Sequence, residues 1–112
     1  MKSGKMLFVR IDFKNSEDAV IEKVAIDSAA YLKQLSKGRY LTAGVFGDMA
    51  TEIIDGAMVV FEAENLAEAQ AISDADPVIQ SGLYRYELKQ WHVMIASAEK
   101  KETTIICRFF LL

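Results

Sequence analysis

The stretch from Lys5 to Lys14, KMLFVRIDFK, constrains the fold most, because it alternates as a strand yet carries apolar residues on both sides. Leu7, Val9, Ile11 and Phe13 share one side, and Met6, Phe8, Arg10 and Asp12 share the other. A sheet built around such a strand needs a covering layer on each surface. If Leu7, Val9 and Ile11 meet the helices, Met6 and Phe8 face away from them, and Arg10 interrupts that second apolar surface.

The rest of the chain supplies the layers. NSEDAVIEKVAIDSAAYLKQLSKG reads as a helix, with Asn15 and Ser16 as cap candidates, acids in the first turn, an apolar stripe at Ile21, Val24, Tyr31, Leu32 and Leu35, and Lys37 and Gly38 at its close. YLTAGVF (40–46) and GAMVVFEA (56–63) are β-rich runs joined through Gly47, Asp48, Asp55 and Gly56, and are expected to pair antiparallel. Asn65 followed by Glu68 marks the start of a short second helix. LYRYELKQWHVMI (83–95) alternates again, with Tyr84, Tyr86 and Leu88 against Arg85, Glu87 and Lys89. The order is βαββαβ. Two helices cover one face of four strands, so a second copy of the chain is expected against the other, enclosing a cavity.

A chain of 112 residues suits one domain, here residues 1–96, followed by a tail of residues 97–112 that is charged and then apolar. The apolar end is expected to lie as an arm on a neighbouring subunit, being too short for a membrane anchor. With 52% hydrophobic and 26% charged residues the chain reads as globular, and a net charge of −3 without a basic stripe argues against nucleic acid as a partner. The apolar run near the amino end is cut by Arg10, so export is not expected, and no segment reaches the roughly 20 apolar residues of a membrane span. A cytoplasmic location is the expectation. Cys107 is the single cysteine, which rules out an internal disulfide and reads as an inert apolar residue. One cysteine and one histidine make no recognisable metal site, and neither a G-x-G-x-x-G nor a phosphate loop is present, so no cofactor is expected.

SDADPVIQSG (73–82) carries the chemistry. Pro77 disfavours helix at Asp76, so the second helix should end near Ala75. Asp76 then has two readings. It can cap a new turn with Pro77 in the first position. It can also act as a general acid or base, because a carboxylate near a helix carboxyl end is disfavoured as an anion and its proton affinity would rise. Cap hydrogen bonds would oppose that rise.

MLFVRIDF, YLKQLSKGRYLTAGVF and AEAQAISDADPVIQSGLYRYELKQW, in that order, resemble the YCII-related family over about residues 5–95. DADPVIQSGLYRYELKQW is the most distinctive part. The resemblance implies a ferredoxin-like subunit that forms a dimeric α+β barrel. It also implies that Asp76 matches the aspartate of the family's DP motif, paired in many members with a first-helix histidine. No histidine stands in that region here, and Ser28 is the natural equivalent. Serine cannot shuttle protons near neutral pH as imidazole does.

Other candidates each have a plain alternative. Arg10 can hold an anionic substrate through its fork of donors, or pair with Asp12 or Glu62. His92 can replace the missing imidazole if β-structure brings it to Asp76, or can sit at a strand end beside Trp91. Tyr84 and Tyr86 read as core or cavity wall. The expectation is a homodimeric YCII-like protein binding a small acidic or aromatic molecule, with Arg10, Ser28 and Tyr31 lining the site. Asp76 would be the base of a cofactor-independent lyase or isomerase. The alternative is a non-catalytic ligand-binding or assembly module that lacks the His–Asp dyad.

Overall fold

The computed structural model describes residues 6–15, 21–48, 50–51 and 53–97. In chain order its elements are β1 (Met6–Lys14), α1 (Glu22–Leu35), β2 (Leu41–Asp48), β3 (Ile53–Ala63), α2 (Leu66–Asp74), α3 (Pro77–Gln80) and β4 (Tyr84–Trp91). The strands form one antiparallel sheet in the order β2-β3-β1-β4, the ferredoxin-like arrangement. Central β1 pairs with β3 and β4 on either side, which brings distant segments of the chain together around it.

Residues directly opposite in an antiparallel pair share a face, so the register assigns every strand residue to one side. Phe8 lies opposite Phe61 and Gln90, Arg10 opposite Val59 and Leu88, and Asp12 opposite Ala57 and Tyr86. This is the face the helices cover. Phe8, Val59, Phe61 and Ala63 form the buried core with Ala69 of α2, packed by Leu32 of α1, Ile72 of α2, and Leu41 and Leu88 from the outer strands. Burying each phenylalanine stabilises the fold by about 1.5–3 kcal/mol.

The helices therefore lie on the Phe8–Arg10–Asp12 side of β1, the reverse of the expectation that Leu7, Val9 and Ile11 would meet them. Alternation divides a strand into two sides but does not say which is inward. The choice is made by partners elsewhere: Phe61 and Ala69 for Phe8, and Asp76 for Arg10. On the opposite face, where the described residues place no helix, Leu7 and Val60 are nonetheless buried, whereas Phe46 and Trp91 nearer the edges are exposed.

Several boundaries differ from the sequence pattern. α1 starts at Glu22 after an extended Ile21 that makes no side-chain cap. Asn15 instead donates through its backbone N–H to the Leu83 carbonyl and through Nδ2 to Gly82, stitching the end of β1 to the turn before β4. Gly82 takes a positive φ of 81°, which a side chain would resist. Ser16, the other expected cap, lies outside the described residues, as do Cys107 and the tail from residue 98 onward. At α2 the cap is realised, since Asn65 Oδ1 accepts from the Glu68 N–H at 2.9 Å, while Glu68 Oε1 accepts from the Glu64 N–H rather than from Asn65. β4 ends at Trp91, so residues 92–95 do not continue the strand.

Candidate functional site

Two local rules place the site. A spacing of two along β1 puts Arg10 and Asp12 on one face, and Pro77 ends helical structure so that Asp76 faces back toward that strand. α2 stops at Asp74 with Ala75 as its cap residue, and Asp76 caps α3, accepting the Val78 N–H on Oδ1 at 3.0 Å with Pro77 in the first turn. The cap reading of Asp76 is thus realised, yet it accounts for only one of three bonds.

Ser28 Oγ donates to Asp76 Oδ1 at 2.6 Å, and Arg10 donates from one terminal nitrogen to Asp76 Oδ2 at 3.0 Å. Arg10 also grips Asp12 with two parallel bonds, Nε to Oδ1 at 2.8 Å and the other terminal nitrogen to Oδ2 at 2.7 Å. Of the two partners offered by the sequence, Arg10 takes Asp12, and it adds Asp76. Arg10, Asp12 and Asp76 are 1%, 2% and 0% exposed, so two carboxylates and one guanidinium sit together out of water with a formal charge of −1. Such a cluster is costly unless its bonds are complete.

Burial lowers the proton affinity of Arg10, but the bonds and charges of Asp12 and then Asp76 outweigh it and hold the guanidinium above its ordinary value. Burial pushes the Asp12 carboxyl up, Arg10 pulls it back, and the Asp76 charge pushes again; the balance lies above the ordinary carboxylate value.

A cavity of about 580 Å³ opens beside this cluster, between the sheet and α1. Its polar wall comprises Arg10, Asp12, Lys14, Ser28 and Tyr84; Val45, Ile54, Val59 and Val78 are among its apolar wall. It lies beneath the helices because Arg10, expected on the outward side of β1, faces them instead. Asp76 stands behind Arg10 and Ser28 and does not border it. Tyr31 does not border it either: its hydroxyl donates to the Ile72 carbonyl at 2.8 Å and ties α1 to α2. Burial, with the Asp76 charge, raises the Tyr31 phenol above its ordinary value.

His92 is exposed just past β4. Leu88 lies opposite Arg10, and four residues of strand separate His92 from that register, about 13 Å at the strand rise. The direction also leads away from Asp12, which is opposite Tyr86. His92 is not part of the cluster.

Of the polar wall residues, Asp12 and Lys14 are the ones sequence reasoning did not propose for the site, while Tyr84 stands where its reading as core or cavity wall put it. Lys14 Nζ donates to the Ile54 carbonyl at 3.3 Å, and burial, with the Asp12 charge, raises the Tyr84 phenol. Among the described residues no group of three His, Cys, Asp or Glu side chains converges as a metal site. No helix among them is long and apolar enough to cross a membrane.

The class defined by these features is a ferredoxin-like α+β domain with a half-open, ligand-sized cavity between its sheet and α1. The chain belongs to the YCII-related domain family, whose model matches residues 6–92. No curated protein matches the sequence. Among solved structures it is similar to 5-chloro-2-hydroxyhydroquinone dehydrochlorinase (TftG) from Burkholderia phenoliruptrix AC1100, a complex with 2,5-dihydroxybenzoquinone. The TM-score is 0.63 at 21% identity, covering 88% of this chain and 100% of that one. At that identity the likeness establishes the shared fold.

Proposed function

We propose that the cavity under α1 takes a small acidic or aromatic molecule and that its polar wall carries out proton transfer of the lyase or isomerase type with its own side chains. The observation that carries this is the meeting of a half-open apolar cavity of about 580 Å³ with a buried guanidinium–carboxylate–hydroxyl cluster. That volume falls within the range of roughly 300–1,000 Å³ usual for small-molecule sites. Two of the five Arg10 N–H groups remain beyond its three bonds, and with Lys14 they supply donors for an acidic group. Asp76 acts as base behind Ser28: because serine does not carry a proton by itself near neutral pH, the transfer is concerted, the Ser28 hydroxyl giving its proton to Asp76 Oδ1 as the ligand's proton reaches Oγ.

The dehydrochlorinase of similar fold is an enzyme seen with a hydroxyquinone, which supports a planar, acidic ligand as the first to try. A second copy of this chain, packed on the open sheet face over Phe46 and Trp91, completes the proposal as a homodimer.

A non-catalytic binding module is the second reading. It is favoured by Ser28 standing where the family pattern leads one to expect histidine, and by His92 lying outside the cluster.

A thermal-shift screen of small aromatic acids tests the binding. At a hundred times Kd a ligand adds about 2.7 kcal/mol, a rise of roughly 10 °C for a domain of this size. No shift with any acid would remove the proposal. Exchange of the ring hydrogens of 2,5-dihydroxybenzoquinone for deuterium, followed by proton NMR, separates the two readings. Catalysed exchange that disappears in Asp76→Asn supports proton transfer, whereas binding without exchange supports the module.

A further inference from the structure

Asp12 and Asp76 share one guanidinium, but their surroundings differ in a way that divides their roles. Asp76 is fully enclosed and accepts three hydrogen bonds, from Ser28, Val78 and Arg10. Among the described residues Asp12 accepts only from Arg10, once on each oxygen, and it borders the cavity. Each Asp12 oxygen keeps a second lone-pair direction for a proton. An anion entering the cavity meets a buried cluster that already carries −1; Lys14 in the same wall is only half-buried and bonded to the Ile54 carbonyl, so solvent screens its charge, and a second negative charge against the dry cluster is costly.

We infer that an acidic ligand binds in this cavity together with one proton, and that Asp12 is the group that takes it. This rests on the proposed ligand site and adds its charge rule. When the ligand arrives as a neutral acid, its O–H bond breaks, the proton forms an O–H bond on an Asp12 oxygen, and the electron pair stays on the ligand. When it arrives as an anion, the proton comes from a hydronium ion in solvent. Either way the complex keeps a charge of −1 across Arg10, Asp12, Asp76 and ligand, and Asp76 remains the anionic base.

The groups around Asp12 agree with this assignment. Arg10 and Lys14 flank it on β1, Tyr84 and Tyr86 face it from β4, Asp76 approaches from the α2–α3 junction, and α1 presents the Ser28 hydroxyl. β3 places Ala57 opposite it and contributes no charge there. Asp55, farther along β3, acts on Tyr84. The raised proton affinity of Asp12 has the sign the inference requires. Tyr84 and Tyr86 are also raised, so they stay neutral at physiological pH and leave the charge count unchanged; Tyr86 gives its hydroxyl proton to Asp74, which leaves Tyr84 as the phenol donor of the wall.

The test uses the full chain with benzoate and 2,5-dihydroxybenzoquinone as probes. Calorimetry in two buffers of different ionisation enthalpy counts the protons taken up, and affinity is followed over about pH 5.5–8. The expected result is uptake approaching one proton and an affinity for benzoate that falls up to tenfold per pH unit as pH rises. In Asp12→Asn the uptake and the slope vanish while binding persists; in Asp76→Asn, whose cluster is already neutral before the anion enters, uptake falls as well. Should Asp12→Asn fail to fold, carbon-13 NMR of the wild-type aspartate carboxyls reads the same event, with the Asp12 signal moving to its protonated position on benzoate addition. Binding without proton uptake, or uptake that survives in Asp12→Asn, overturns the inference and leaves the ligand site standing. Failure of both probes to bind at any pH overturns the site and the inference with it.

Discussion

Among the described residues Arg10 is the only positive charge bonded to two carboxylates that are 2% and 0% exposed, so replacing it by methionine is the most informative single perturbation of the cluster. Methionine fills much of the aliphatic volume but offers no donor. Removing one partner of a buried ion pair costs about 3–5 kcal/mol, mostly by leaving the other charge unpaired. Here two charges are stranded, which places Arg10→Met near about 5 kcal/mol, comparable with the whole stability of a small domain at roughly 5–15 kcal/mol. In urea such a loss moves the unfolding midpoint down by about 2 M or more. The sign of the pH dependence follows from the same charges. Without Arg10 the buried Asp12 carboxyl binds its proton still more tightly in the native state than in the unfolded chain, so the penalty is full at neutral pH and shrinks as pH falls toward about 4. The triple variant Arg10→Met, Asp12→Leu, Asp76→Asn removes every charge and keeps an acceptor for the Val78 N–H. It should recover to within about 2 kcal/mol of wild type. A loss below about 1 kcal/mol in the single variant, or one that is equal at acid and neutral pH, would refute the picture of a mutually dependent buried cluster.

Asp12→Asn isolates the burial of one carboxyl. Because the native Asp12 carboxyl lies above 3.8, wild-type stability at this group falls as pH rises from there through the native value, so the variant should gain on wild type across that window in urea melts. A flat difference would deny the shift. Tyr86 donates to Asp74 at 2.7 Å, and burial followed by that bond pushes its phenol up to about 12. Its contribution to stability is therefore complete below about pH 10 and lost as pH rises through about 12, a loss that Tyr86→Phe should lack in alkaline unfolding curves. Asn65→Ala removes the acceptor for the Glu68 N–H at the start of α2 and should cost about 1 kcal/mol in urea, whereas Asn65→Asp should cost little.

Much of the fold is legible because its signals are local. Alternation marks β1 and β4, Asn65 and Pro77 punctuate α2 and α3, and the order of elements leads to the sheet order. The side of β1 that faces inward is not local information. Both sides carry apolar residues, and the decision belongs to Phe61, Ala69 and Asp76, all far away in sequence. Expecting Arg10 on the outward side tied the site to the open face, whereas Arg10 faces the helices and Asp76. The start of α1 shows the same limit, since Asn15 looks like a cap but finds better partners at Leu83 and Gly82.

The site divides in the same way. Ser28 and Asp76, both expected at the site, are 2.6 Å apart, although Ile21, expected on the apolar stripe of the same helix, is exposed outside it. Asp12 was considered only as an ordinary partner of Arg10. The spacing of two that puts both on one strand face was available, but that it borders a cavity depends on α1 crossing above it.

A ligand located directly in the protein gives the sharpest test of the cavity's role. In a crystal soaked with 2,5-dihydroxybenzoquinone, or by intermolecular NOEs in solution, the molecule should lie between the sheet and α1, within hydrogen-bond reach of Arg10 and against Val59 and Ala29. A molecule bound instead on the open sheet face beside Trp91, with the space under α1 closed by side chains, would contradict it.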